Sequence, residues 1–138
     1  MTLYPSSVAE VLDPPVRFRA ATIDAVDRFA QSRPWTGTLE ERKEKFSRLH
    51  GDLCRIYTRQ TQIRFRLIDG SCSGSSFYMP ALDLIEIRGK LSVVTYLHEF
   101  AHALGKDEHG ACRWSLNLFR KCCPREFGRC RDEGHVVR

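Results

Sequence analysis

The chain carries His98-Glu99-Phe100-Ala101-His102, two histidines four residues apart with a glutamate beside the first. No other feature constrains the local fold as tightly. On an α-helix, positions i and i+4 share one face, so both imidazoles can reach the same metal ion. Glu99 then lies where a carboxylate can act as general base on a metal-activated water. The pattern predicts a helix through residues 98–102 whose polar face meets at least one more ligand from elsewhere in the chain.

Length and composition set the frame for that helix. A chain of 138 residues, 42% hydrophobic and 28% charged, reads as one soluble domain, 1–138, large enough to bury a core. No apolar run approaches a membrane span, which argues against a membrane protein. Residues 1–15 lack a basic start followed by an apolar stretch. The six cysteines therefore read as reduced thiols in a cytoplasmic protein. The net charge of +5 is uneven: Arg55, Arg59, Arg64 and Arg66 fall in a stretch without acids. A basic face of this kind suits nucleic acid or an acidic protein, although a solvated surface explains it too.

Along the chain, residues 1–20 hold Pro5, Pro14 and Pro15 without a clear period and read as an irregular arm. Ile23, Val26, Phe29 and Ala30 form one stripe of a helix over 21–32. Thr38 and Glu41 have the spacing of a capping box. The helix after them repeats Leu39, Phe46, Leu49, Leu53 and Ile56 and is expected to reach about Thr58. Ile63, Phe65 and Leu67 then alternate with Arg64 and Arg66, as in a half-buried strand. Asp69 to Ser76 reads as a loop, and 77–79 and 82–88 as two further strands. Ser92 can cap the helix bearing the two histidines, and Gly105 can stop it. Asp107 can cap a last helix from Glu108 to about Cys123, ended by Pro124. Residues 124–138 read as a basic, cysteine-containing tail.

With these elements in place, Leu97-His98-Glu99-Phe100-Ala101-His102-Ala103-Leu104-Gly105 resembles the active-site helix of the zincin metallopeptidases. The preceding SFYMPALDLIEIR, residues 76–88, is similar to the edge strand before that helix in small zincins. The segment from Glu108 to Ser115 is similar to the E-x-x-A-x-x-[FW]-[AS] segment of the gluzincin-like ImmA/IrrE family. The resemblance implies an α+β, zincin-like fold: a small, mostly antiparallel sheet with an active-site helix and flanking helices. It implies a zinc-dependent peptidase with Zn2+ on His98 and His102 and Glu99 as base. Counting as in metzincins and aligning with ImmA/IrrE both lead to Glu108 as third ligand, with His109 the alternative. A peptide or protein substrate would pair along the strand near Leu82–Arg88. The donor for the developing oxyanion stays open among Tyr78, Tyr96, His109 and His135.

Two other readings accompany this one. Asp107 and Glu108 also suit a helix start simply as acids facing the macrodipole. The whole chain can also be a zincin-fold module that binds DNA or protein with little or no peptidase activity. Cys112, Cys122, Cys123 and Cys130 crowd the last stretch near His135. Buried thiols are the first expectation for them, with disulfides or a second metal as alternatives. Cys54 and Cys72 stand alone.

Overall fold

The computed structural model describes residues 11–12, 14–67, 76–132 and 135–136, with side chains up to residue 129. Five helices are α1 (Ala20–Gln31), α2 (Leu39–Ile56), α3 (Val93–Ala103), α4 (Glu108–Cys122) and α5 (Pro124–Cys130). A three-stranded sheet is built from β1 (Gln62–Arg66), β2 (Phe77–Met79) and β3 (Leu84–Arg88), with a 3-10 turn at Pro80–Leu82. A small ladder, β4 (Arg131–Asp132) with β5 (His135–Val136), follows α5. The architecture is α+β, as expected. Among the described residues no helix is long and apolar enough to cross a membrane.

Helices α1 and α2 form where their periods place them. Thr22, Ala25, Val26 and Phe29 are the buried stripe of α1, and Phe46, Leu49, His50 and Leu53 that of α2. Thr38 accepts from the Glu41 amide while the Glu41 carboxylate accepts from the Thr38 amide, closing the capping box. Leu39, counted in the apolar repeat, lies in the first turn and is exposed.

The sheet order is β1-β3-β2. β1 runs parallel to β3 and β2 antiparallel to it, so the sheet is mixed rather than mostly antiparallel. Alternation carries Ile85 and Ile87 into the core and leaves Arg64, Arg66 and Arg88 on the other face. Because β3 is hydrogen-bonded on both sides, Leu84–Arg88 has no free ladder for an added strand. Among the described residues, β2 is the sheet edge that packs against α3.

Beneath this sheet, α3 is enclosed on nearly every side. Val93 to Ala101 and Ala103 are all buried, since β2, β3 and α4 pack around the helix. A second anchor is polar: His50, 5% exposed, holds Tyr96 of α3 through Nδ1 at 2.7 Å and the Thr61 carbonyl through Nε2 at 2.6 Å. A carbonyl only accepts, so Nε2 carries the proton and Nδ1 accepts from the tyrosine hydroxyl. Burial lowers the His50 pKa, with the Thr61 carbonyl working the other way. The folded state therefore binds this proton less readily than the unfolded chain does. Stability linked to His50 is complete above about pH 6.5 and is lost as pH falls below that value toward the lowered folded pKa. Melting temperatures measured from pH 7.5 to 5 should fall, and His50→Gln should flatten that slope. An unchanged slope in the variant would assign the effect to other groups.

The arm is irregular over residues 14–19, as expected, but Val11 and Leu12 are helical and buried. Arg113 donates to the Val11 and Pro14 carbonyls, and Asn117 Nδ2 to Val11, which ties the arm to α4. Residues 1–10 and 13 lie outside the described residues, as do 69–75 of the expected loop. Pro124 ends α4 but also opens α5, since proline fits the first turn, where its missing N–H has no partner to lose. Cys54, Cys112, Cys122 and Cys123 are free thiols, which removes the disulfide alternative for these four. Burial pushes the thiols of Cys122 and Cys123 up to about 12, so they behave as small apolar residues.

Candidate metal centre

The two histidines project from the C-terminal half of α3, whose start and stop follow local rules. Ser92 caps it by accepting from the Thr95 amide at 3.3 Å. At the other end Gly105 adopts φ +93°, a left-handed conformation that costs glycine little. Its amide bonds to the His102 carbonyl at 2.9 Å, and the Lys106 amide to the Ala101 carbonyl at 3.1 Å. These two bonds make a Schellman motif. The motif turns the Lys106 carbonyl back over the helix end, where it accepts from His102 Nδ1 at 2.8 Å. His102 thus carries its proton on Nδ1, leaving the Nε2 lone pair directed at the site.

The chain then reverses within one further residue. Asp107 Oδ1 accepts from the Gly110 amide at 2.7 Å and starts α4 at Glu108. A Cβ on residue 110 would stand 3.1 Å from that carboxylate oxygen, so glycine keeps the cap uncrowded. This tight corner lets a glutamate only six residues beyond His102 fold back onto the histidines. Glu108 Oε1 lies 2.6 Å from His98 Nε2, and Oε2 lies 3.5 Å from His102 Nε2. The two Nε2 atoms are 3.2 Å apart.

These distances test whether the donors fit an ion. Nitrogen and oxygen donors about 2.0–2.1 Å from zinc at tetrahedral angles stand about 3.3 Å from one another. Separations of 3.2 and 3.5 Å match that value, while the 2.6 Å contact is a direct histidine–carboxylate hydrogen bond. Two imidazoles and a carboxylate are also a donor set that zinc accepts. The set is layered: His98 is 3% exposed, His102 24% and Glu108 63%, so it opens to solvent on the α4 side.

Cys112, one turn beyond Glu108, completes the surroundings. Its sulfur is 3.9 Å from His98 Nδ1 and 4.0 Å from Glu108 Oε1. His98, Glu108 and Cys112 therefore form a second possible trio of metal donors, their ligand atoms all within 4.8 Å of one another. The Lys106 carbonyl, bonded to His102 Nδ1, turns His102 Nε2 toward His98 and Glu108. Cys112 then sits against the outer nitrogen of His98, where a partner fixes ring orientation. Cys112 is buried in the core, as expected, and its place beside this site follows its spacing from Glu108, again i and i+4.

The remaining candidates separate clearly. Glu99 is buried, 6% exposed, immediately after His98. His109 is exposed at the start of α4, while its neighbour Glu108 makes the contacts. Tyr96 is fully buried with its hydroxyl on His50, so it does not serve as an oxyanion donor. The Tyr78 hydroxyl donates to Asp83 at 2.8 Å, beside Arg59 and Thr61, which fastens the 3-10 turn to β1. The side chains of Cys130 and His135 lie outside the described residues. Comparison of the chain with protein-family models, with curated proteins and with solved structures finds no match.

Proposed function

We propose that the protein is a zinc-dependent metallopeptidase of the zincin type, gluzincin-like in its ligands, with His98, His102 and Glu108 holding the ion. The observation that carries the reading is the convergence of two Nε2 atoms and one carboxylate, with the His98–His102 and His102–Glu108 separations of 3.2 and 3.5 Å near those of ion-bound donors. The resemblance of this helix pair to zincins and to the ImmA/IrrE segment supports it. Held by these residues, zinc would supply Lewis-acid chemistry and would lower the pKa of bound water toward about 7. Glu99 takes the proton of the attacking water and passes it to the leaving amine. Glu99 is buried on α3, next in sequence to His98. β2, Phe77–Met79, is a sheet edge among the described residues and provides a ladder on which a peptide or protein substrate can lie extended above α3. Reduced Cys54, Cys112, Cys122 and Cys123 suit a cytoplasmic setting.

Metal analysis of the purified protein tests the site directly. Near-stoichiometric zinc is expected, lost in His98→Ala and in His102→Ala. Cys112→Ser should retain zinc with affinity weakened by no more than about 10–100-fold, as for a residue that only orients a ligand. Zinc retained by His102→Ala and lost by Cys112→Ser would place the ion in the His98–Glu108–Cys112 trio instead. No zinc in any form of the protein would end the proposal.

A further inference from the structure

The outer face of the sheet carries an arrangement separate from the metal centre. Register sets Arg64, Glu86 and Phe77 side by side across β1, β3 and β2, with Arg66 opposite Arg88 in the next row. The Glu86 side chain has no exposed surface, yet what covers it is three part-exposed guanidiniums rather than apolar interior. Arg64 lies 2.6 Å and Arg66 3.2 Å from Oε1, and Arg88 bonds to Oε2. Burial alone would raise the pKa of Glu86; the hydrogen bonds from Arg88 and Arg64 outweigh it and hold the carboxyl below its ordinary value.

Three cations around one anion leave two positive charges uncompensated among the described residues. Like charges directly opposite, as at Arg66 and Arg88, weaken a ladder. Each guanidinium also offers five N–H donors, far more than one carboxylate can accept from all three. The side chains remain 48%, 55% and 32% exposed, so the unused donors face solvent. Glu86 holds the three forks in place, which reduces the ordering cost of binding another anion.

We infer that this face binds the phosphate backbone of single-stranded nucleic acid. Arginine forks match phosphate oxygens in pairs. Arg64 and Arg66 stand about 6.6 Å apart along β1, and Arg88 about 4.8 Å across, so successive phosphates can be met together. The Arg88 guanidinium lies over the half-buried Phe77 ring, 5.2 Å from its centroid, and this cation–π pair adds a planar group against which a base can stack. An acidic peptide matches the charge but has no use for that ring. A duplex groove admits a helix or a two-stranded ribbon, whereas these arginines lie flat on a three-stranded sheet.

Fluorescence anisotropy with a labelled oligothymidine over a salt series tests the inference. Binding at low salt is expected, with log affinity falling linearly with log salt. Arg64→Gln with Arg66→Gln leaves Arg88 on Glu86 and should lower affinity and reduce the slope by about 0.7 per arginine replaced. R64Q/R66Q/R88Q/E86Q removes the charges without stranding the carboxylate; shown folded by its melting curve, it should not bind. Arg48→Gln, on exposed α2, should bind as wild type. Wild-type affinity in the double and quadruple variants would overturn the inference, as would tighter binding of duplex DNA or of polyglutamate. The measurement uses neither metal nor peptide substrate, so its outcome is independent of the metal centre.

Discussion

Glu99→Gln is expected to leave zinc bound and to lower peptide hydrolysis by about 10²–10⁴-fold, the range that a positioned general base contributes. Glutamine keeps the size and a hydrogen-bonding oxygen but cannot take a proton from water. The residue is 6% exposed on a helix packed on nearly every side, so an isosteric change should not move it. The predicted signature is a fall in kcat with metal content and melting temperature unchanged. Loss of zinc in this variant would make Glu99 a ligand or a support for one. Undiminished hydrolysis would remove it from the chemistry.

Much of this site was legible because its parts obey local rules. The i, i+4 histidines, the Ser92 and Asp107 caps and the Gly105 stop each depend on a few neighbouring residues, and each is present. Those rules also decide where the corner lies, whereas Glu108 itself was named only through the resemblance to metzincin spacing and to the ImmA/IrrE segment. What depends on distant partners was not legible. The parallel pairing of β1 with β3 skips over β2, and alternation in either strand fits both directions. Pro124 reads equally as a stop or a start. The position of Tyr96 was available and overlooked: two residues before His98 on a helix is nearly the opposite face. That β2 and not β3 is a sheet edge among the described residues followed from the sheet order alone.

The local and distant parts meet in residue 100. Phe100 lies inside the motif, two residues past His98, and so points away from the metal ligands. It is fully buried, with its ring about 6 Å from those of His50, Tyr57, Tyr96 and Trp114. It therefore joins α2, α3 and α4 and holds the helix that presents the histidines against the one that presents Glu108. Phe100→Ala should cost about 3–5 kcal/mol, from lost apolar burial and the cavity left behind. That is a large share of the 5–15 kcal/mol typical of a folded domain. Urea titration of the metal-free protein should show a much lower midpoint with a similar slope. Zinc at about 100 times its dissociation constant should return roughly 2.7 kcal/mol, so rescue should be partial. A loss below about 1 kcal/mol would mean that α3 is held mainly through the His50–Tyr96 hydrogen bond and the sheet. Full rescue by zinc at that concentration would mean that the ion, rather than this aromatic cluster, sets the α3–α4 corner.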